Sequence, residues 1–225
     1  MAERGGRQKI PRPTSVRPGR PAPWADLPAD ARRPSLDDVL AAMAAAPEPR
    51  RSEREGQPSS EGPASAVLAA LYDDGGEAVV VLTRRAQSLR SHRGEVSFPG
   101  GRQEPGEDLW TTALREADEE VALDPSTVTY LAELDHLNTI TSRSFIVPFV
   151  ASLPGSPTLV AAPHEVELVL RVPLRELLSD GVYRQERWGI PPQDRAIHFF
   201  EVVGDTIWGA TGQFVFQLLA LLARG

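Results

Sequence analysis

The sequence has no cysteine, and Lys9 is the only lysine among its 225 residues. The absence of cysteine excludes disulfide bonds and thiolate metal sites. No apolar stretch approaches the roughly 18 residues of a membrane-spanning helix, since the closest candidate, 214–223, is short and contains Gln217. No apolar signal-peptide core is visible either, so the sequence predicts a cytoplasmic protein without a membrane partner.

Net charge and length limit the binding partners and the number of domains that this protein can have. A formal net charge of −7 argues against general nucleic-acid binding, so no nucleic-acid partner is expected. The acidic balance suits a protein that handles an anionic small molecule in one local site. A chain of 225 residues is long enough for one substantial domain with extensions.

Composition divides the chain into three regions. Residues 1–34 are rich in proline and arginine, which predicts a disordered tail whose removal leaves catalysis unchanged. A tether to RNA or to acidic partners is the alternative role for this tail. Residues 35–63 are predicted to form a short helix, capped by Ser35, and a proline-rich linker. Residues 64–225 are predicted to form the folded domain.

Hydrophobic patterning predicts an α/β fold for this domain. Residues 66–72 and 77–83 have the pattern of two strands joined by the turn Asp-Asp-Gly-Gly at 73–76. A helix is predicted over residues 108–121. Further strands are predicted at 96–98, 128–134, 145–152, 166–172 and 196–203, with a helical turn at 173–178 and a terminal helix at 211–224. Strands and helices without regular alternation indicate a mixed sheet between helices.

Three acidic residues share one face of the predicted helix. Because each helical residue advances by about 100°, Glu119 and Glu120 lie roughly −60° and +40° from Glu116, with Asp118 opposite. Hard carboxylate oxygens of this kind suit Mg²⁺ or Mn²⁺. A solvated acidic face is the usual alternative for a run of charges. The fixed spacing between Gly101 and Glu120 favours the metal site.

This spacing resembles the Nudix box, G-x5-E-x7-R-E-U-x-E-E-x-G-U, where U is aliphatic. The matching residues are Gly101, Glu107, Arg115, Glu116, Glu119, Glu120 and Leu123. The resemblance implies a Nudix-type α/β/α sandwich with a mixed β-sheet and a metal-dependent pyrophosphatase. Ala122 stands where the box has glycine, a residue that would end the helix with a positive φ. This departure predicts mild strain or a different helix exit.

The box resemblance also implies roles for individual residues. Glu116, Glu119 and Glu120 are the expected metal ligands for Mg²⁺ or Mn²⁺, and Glu119 is also a candidate catalytic residue. Arg115 is included among the catalytic residues, mainly as an orienting group beside Glu107. A purely structural Glu107–Arg115 pair is the alternative, because buried ion pairs commonly serve architecture.

A second motif lies immediately before the box. Residues 81–101 read VLTRRAQSLRSHRGEVSFPGG. This segment is similar to the signature of the coenzyme A pyrophosphatase branch, which implies cleavage of coenzyme A, or of its thioesters, to 3′-phospho-AMP and 4′-phosphopantetheine. The implied substrate-binding residues are Arg84, Arg90, His92, Gly100 and Gly101.

Physical arguments support part of this substrate assignment. Guanidinium groups match phosphate oxygens, and a glycine lets the backbone approach a ligand closely. Arg84 and Arg85 nevertheless project to opposite faces of a regular strand, so both cannot line one pocket. His92 has a structural alternative, since isolated histidines have many such uses.

The sequence leaves the base, the exact substrate and the assembly open. Glu165 is the predicted base outside the box, with a box glutamate or His164 as alternatives. ADP-ribose or NADH could replace coenzyme A as the substrate. A non-catalytic sensor of coenzyme A is disfavoured, because every helix carboxylate of the box is present. A homodimer is compatible with these features.

Overall fold

The computed structural model describes residues 3–55, 64–89, 91–139 and 144–224. The strands are β1 (Val16–Pro18), β2 (Ser65–Asp74), β3 (Glu77–Arg85), β4 (Val96–Ser97), β5 (Gly100–Arg102), β6 (Thr129–Glu133), β7 (Leu137–Asn138), β8 (Phe145–Ser152), β9 (Val166–Pro173), β10 (Tyr183–Trp188), β11 (Arg195–Val202) and β12 (Asp205–Ile207). The α-helices are α1 (Leu36–Ala44), α2 (Leu109–Val121), α3 (Leu174–Leu177) and α4 (Gly209–Leu222). None of the helices in these ranges is long and apolar enough to cross a bilayer.

The main sheet is mixed, as the sequence predicted. Strands follow the order β4-β3-β2-β8-β6, with β2 and β8 parallel and the β2–β3 hairpin antiparallel. β9 pairs with β3 along its length, and β5 pairs with the start of β2. Because β5 follows directly from β4, the segment before α2 is held against the centre of the sheet.

Helices cover both faces of this sheet. Ala66, Leu68 and Ala70 of β2 lie in the same apolar cluster as α2, whereas Ala69 and Leu71 lie in the cluster with α1 and α4. The division follows from the two-residue period of a strand, which sends alternate side chains to opposite faces. The protein is therefore an α/β sandwich, in agreement with the predicted fold class.

A second sheet, which the sequence analysis did not predict, lies beside the first. It has four strands in the order β1-β10-β11-β12, all antiparallel. The sequence analysis placed a strand at 196–203, corresponding to β11, but missed β1, β10 and β12.

The described part of the N-terminal region is folded, so the predicted disordered tail is wrong for residues 3–34. Val16–Pro18 pairs with β10, and Trp24 is only 2% exposed. Trp24 packs against Tyr183, with ring centroids 5.1 Å apart, and against Phe200 at 6.2 Å. Proline is compatible with this placement because an edge strand needs fewer backbone donors.

Residues 35–55 are also attached to the domain. Helix α1 begins after Ser35, whose side chain and Asp38 form the predicted capping box. In the predicted linker, Ser52 is buried and its hydroxyl donates to Asn138 at 2.5 Å. Residues 56–63 of that linker lie outside the described residues. The described part of the predicted linker or exposed loop, residues 47–55, has no helix or strand, and polar contacts attach it to the β7 region.

Helix α2 begins and ends at residues that explain its length. The Asp108 side chain accepts from the backbone NH of Thr111 at 2.7 Å, which caps the first turn. The helix ends at Ala122, which is left-handed with φ 54° and ψ 37°. The chain therefore keeps the conformation that the box glycine would supply, with an alanine in its place.

We expect Ala122→Gly to raise the free energy of unfolding by about 1 kcal/mol, because it removes the left-handed penalty of an L-residue. Ala45, which ends α1 with φ −94°, is a matched control. Glycine at Ala45 should lower stability, since no left-handed strain is relieved there. Chemical denaturation of both variants measures the effect, and equal destabilisation by the two would contradict the assignment of strain.

Candidate active site

The three glutamates of α2 have different environments. Glu120 is 3% exposed, and the Glu116 side chain is largely covered. The Glu119 side chain is 59% exposed and points toward solvent. The predicted shared face is therefore present, but the three side chains differ in exposure: Glu120 is buried, Glu116 is largely covered and Glu119 is exposed.

Two glycines allow the β4–β5 segment to lie directly against this helix face. A Cβ on Gly101 would lie 2.3 Å from the Glu116 carboxyl group. A Cβ on Gly100 would lie 2.3 Å from the Ala66 carbonyl oxygen. The Gly100 NH approaches Glu120 Oε2 at 3.4 Å. Glycine is required at position 100, where a Cβ would clash with backbone, whereas a Cβ at position 101 would displace the Glu116 carboxyl group.

Arg115 sits inside the carboxylate cluster. Its Nε donates to Glu107 at 2.6 Å, and its Nη1 donates to Glu116 at 3.0 Å and to Glu119 at 2.9 Å. The Arg115 guanidinium lowers the pKa of Glu107 to about 2, with help from the Thr112 hydroxyl. These contacts match the orienting role inferred from the box, because one guanidinium holds three carboxylates in place.

Burial makes the deepest carboxylates hard to ionise. Burial raises the pKa of Glu120 to about 8, and the nearby Arg85 charge only partly offsets this. Burial also raises the pKa of Glu116, against the opposing effect of its bond to Arg115. Glu165 is close enough for its charge to raise the pKa of both groups. Burial therefore favours the protonated form of both carboxyl groups, and a divalent ion bound beside them would favour the ionised form.

The position of Glu165 is set by backbone contacts with α2 and β3. The Ala162 NH donates to the Glu120 carbonyl at 2.9 Å, and the Glu165 NH donates to the Ala162 carbonyl at 3.0 Å. The Ala86 NH donates to the Glu165 carbonyl at 2.8 Å. The structure therefore brings this predicted base beside the helix carboxylates. His164 is its exposed neighbour.

Arg85, rather than Arg84, faces the acidic helix. Arg85 Nη1 lies 3.8 Å from Glu120 Oε1, and its buried Nε has no hydrogen-bond partner among the described residues. Arg84 instead makes a bidentate ion pair with Asp205, in which Nε donates to Oδ1 at 2.8 Å and Nη2 donates to Oδ2 at 2.6 Å. Sequence reasoning chose Arg84 for this site and missed Arg85. Strand alternation showed only that one of the two would be excluded.

His92, another predicted binding residue, contacts its own loop rather than the carboxylates of α2. His92 has φ 55°, its side chain is 68% exposed, and its Nδ1 lies 2.9 Å from Glu95 Oε2. This contact within its own loop supports the structural alternative for His92. Arg90 lies outside the described residues.

The carboxylates of α2 are suitable ligands for a divalent ion that also binds substrate and water. Within the described ranges, no three acidic or histidine side chains are gathered closely enough to hold a metal ion by themselves. Mg²⁺ characteristically uses one or two carboxylates together with substrate phosphates and water. Glu116 and Glu120 meet that requirement, because their carboxyl groups lie close enough on α2 for the charge of one to raise the pKa of the other. Glu119 accepts from the same Arg115 Nη1 as Glu116, but its side chain is 59% exposed, so it lies at the solvent edge of the cluster.

Comparisons with known proteins agree with this geometry. The family model described as NUDIX domain matches residues 62–192. The chain is 37% identical over 140 residues to Uncharacterized Nudix hydrolase NudL of Photorhabdus laumondii, covering 62% of this chain and 74% of the relative. It is 37% identical over 162 residues to Nudix hydrolase 22, chloroplastic, of Arabidopsis thaliana, covering 68% of this chain and 53% of that protein.

A solved structure supports the fold alone. The MutT/nudix family protein from Enterococcus faecalis superimposes with a TM-score of 0.51 at 15% sequence identity. The match covers 85% of this chain and 70% of the other.

Proposed function

We propose, on the premise that this chain belongs to the Nudix family, that it hydrolyses the pyrophosphate bond of coenzyme A or its thioesters. Family membership makes it a Nudix hydrolase of a nucleoside diphosphate derivative. The main support for coenzyme A as the substrate is the position of the coenzyme A-type signature, residues 81–101. Both ends of this segment contact the acidic cluster. Arg85 contacts Glu120 near its start, and Gly101 contacts Glu116 at its end.

Glu116 and Glu120 would hold the divalent ion, Mg²⁺ or Mn²⁺, on which Nudix enzymes generally depend. Such an ion, when bound, would neutralise negative charge on the pyrophosphate and lower the pKa of a water molecule bound to it. Arg115 keeps Glu116 oriented through the 3.0 Å bond, while Glu107 anchors Arg115 from the other side. The carboxylates are therefore positioned before substrate arrives, which reduces the reorganisation that binding requires.

Arg85 is the residue that we assign to the scissile pyrophosphate. Its buried Nε has no hydrogen-bond partner in the described part of the chain, and an unsatisfied buried donor is costly. The Arg85 side chain is 27% exposed, so the accessible part of its guanidinium group can donate a charge-assisted hydrogen bond to a phosphate oxygen. Arg84 cannot take this role while it pairs with Asp205 on the other side of β3.

Glu165 is the candidate base for water activation. It is exposed, and it lies close enough to influence both buried glutamates. Glu165 would accept a proton as the water oxygen bonds to one phosphorus and the bond from that phosphorus to the bridging oxygen breaks. The products are 3′-phospho-AMP and 4′-phosphopantetheine, and the accepted proton returns to solvent. Glu119 and His164 remain the alternative bases for mutagenesis.

Product analysis tests the proposed substrate. Purified protein is incubated with coenzyme A, dephospho-coenzyme A, ADP-ribose or NADH in Mg²⁺ or Mn²⁺, and the products are identified by mass spectrometry. We expect the fastest cleavage with coenzyme A, because its additional phosphate gives it more negative charge. Preferential cleavage of ADP-ribose or NADH would keep the reaction class but overturn the coenzyme A assignment. No cleavage of any substrate would overturn the catalytic proposal.

A further inference from the structure

The N-terminal segment encloses a large polar cavity on the side of β3 that carries Arg84. The cavity has a volume of about 1100 Å³. Its walls are residues 3–10 and 12, part of the loop between β3 and β4, and side chains from β3, β9, β10, β11 and β12. Ile10 is the single apolar side chain among the described lining residues. An acyl chain or a bare aromatic ring would therefore find little complementary surface.

Specific contacts hold the segment that closes this cavity. The Gly5 NH donates to the Val202 carbonyl at 2.8 Å, and the Gly204 NH donates to the Glu3 carbonyl at 3.1 Å. The Gln8 side chain bonds to both backbone groups of Thr206, at 3.2 and 3.3 Å. These contacts extend along the β11–β12 hairpin, so the wall is part of the fold.

Cations outnumber acids in the cavity lining. The cationic side chains are Arg4, Arg7, Lys9, Arg12, Arg84, Arg93 and Arg184, and the acidic ones are Glu3, Glu167, Glu201 and Asp205. This excess of positive charge is local, since the whole chain carries a formal net charge of −7. It predicts an anionic ligand, because the cavity concentrates field lines from one sign of charge.

The available cations can be separated from those already paired. Arg84 binds Asp205 and Glu167, and Arg184 binds Glu201. Arg7, Lys9 and Arg93 are exposed, and they form no ion pair with other described residues. Three cations from two distant parts of the chain thus face one cavity without a carboxylate partner in the described ranges.

The loop from β3 to β4 connects this cavity with the acidic site. Arg93 and Gly94 line the cavity, and the Gly94 NH donates to the Arg85 carbonyl at 3.1 Å. The Arg85 side chain faces Glu120 on the opposite side. One substrate molecule could therefore contact both sides of this loop with different anionic groups.

We propose that Arg7, Lys9 and Arg93 bind a phosphate monoester of the substrate that is separate from the scissile pyrophosphate. The inference rests on the proposed function and extends it to the N-terminal segment. Guanidinium and ammonium groups suit a compact dianion, and their present lack of partners leaves their donors available. In coenzyme A this group is the 3′-phosphate of the nucleotide.

The test compares coenzyme A with dephospho-coenzyme A, which lacks that phosphate. We expect the triple variant Arg7→Gln/Lys9→Gln/Arg93→Gln to reduce the kcat/KM ratio of coenzyme A to dephospho-coenzyme A by about tenfold or more. The matched control is Arg20→Gln/Arg195→Gln/Arg224→Gln, three exposed arginines outside the cavity with the same total charge change. An unchanged ratio in the first variant, or an equal fall in both, would overturn the proposal.

A binding measurement separates this inference from the proposed reaction. Calorimetric titration with adenosine 3′,5′-bisphosphate and with AMP needs no turnover. We expect the unmodified protein to prefer the bisphosphate and the first triple variant to lose that preference. Equal binding of both ligands by the unmodified protein would overturn the phosphate site. Preserved preference without coenzyme A hydrolysis would support the site while refuting the proposed reaction.

Discussion

Glu120→Gln should lower kcat by at least about 100-fold while leaving the thermal unfolding temperature unchanged or slightly higher. Glu120 is 3% exposed, and burial raises its pKa to about 8. A glutamine keeps its shape but removes the carboxylate that we assign to the divalent ion. Because a neutral amide is easier to bury than a carboxylate, the fold should tolerate the change. Steady-state kinetics and calorimetry on the same preparation measure the two effects.

Asp118→Asn supplies the matched control for this experiment. Asp118 lies on the same helix, is exposed, and points away from the cluster by the helical period. Its replacement removes one carboxylate from α2 and should leave kcat nearly unchanged. Near-normal turnover in Glu120→Gln, or an equal loss in Asp118→Asn, would refute the assignment of Glu120.

Glu119→Gln separates the sequence-based expectation from the structural one. The sequence analysis places Glu119 among both the metal ligands and the catalytic residues. In the structure its side chain is 59% exposed and accepts from Arg115 at 2.9 Å. A loss as large as that of Glu120→Gln would show that Glu119 leaves Arg115 and joins the reacting groups. A smaller loss of kcat would indicate that Glu116 and Glu120, rather than Glu119, are the main metal ligands.

Trp24→Ala should reduce the free energy of unfolding by about 3–5 kcal/mol, the range for deleting a large buried aromatic side chain. Trp24 is 2% exposed and packs against Tyr183, Phe200 and Phe216. Its loss would leave a cavity between the N-terminal segment and the second sheet. Urea denaturation followed by circular dichroism measures the change.

Arg20→Ala is the control in the same segment. Arg20 is exposed, and its backbone NH donates to the Gln185 side chain at 3.0 Å, whereas its own side chain makes no hydrogen bond to another described residue. A surface change of this kind is usually worth within about 0.5 kcal/mol. If Trp24→Ala changed the free energy of unfolding as little as Arg20→Ala, the claim that Trp24 packs in the core would be refuted.

The same packing changes the expected result of truncation. The sequence analysis predicts that removal of residues 1–34 leaves catalysis unchanged. The structure places Trp24 in the core and β1 on the second sheet, so removal should destabilise the protein. It would also remove the part of the cavity wall formed by residues 3–12.

Local periodicity was enough to predict much of the site. The 3.6-residue period placed Glu116 and Glu120 on one face of a helix, and the structure keeps them together around Gly100 and Gly101. At Ala122 the sequence left two outcomes open, mild strain or a different helix exit, and the structure keeps the left-handed exit. The Asp-Asp-Gly-Gly turn similarly predicted the β2–β3 hairpin. These features depend on neighbours within a few residues or turns, which the sequence displays directly.

Tertiary structure decided what these local patterns could not. Strand alternation required Arg84 and Arg85 to diverge, but only the positions of Asp205 and Glu120 determined which arginine faces the acidic helix. A proline-rich composition suggested disorder, whereas Trp24 found aromatic partners more than 150 residues away. By itself, the sequence determined helix α2, its acidic face and the family resemblance. Only long-range packing determined the depth of each carboxylate and the folded N-terminal wall, because burial depends on residues distant along the chain.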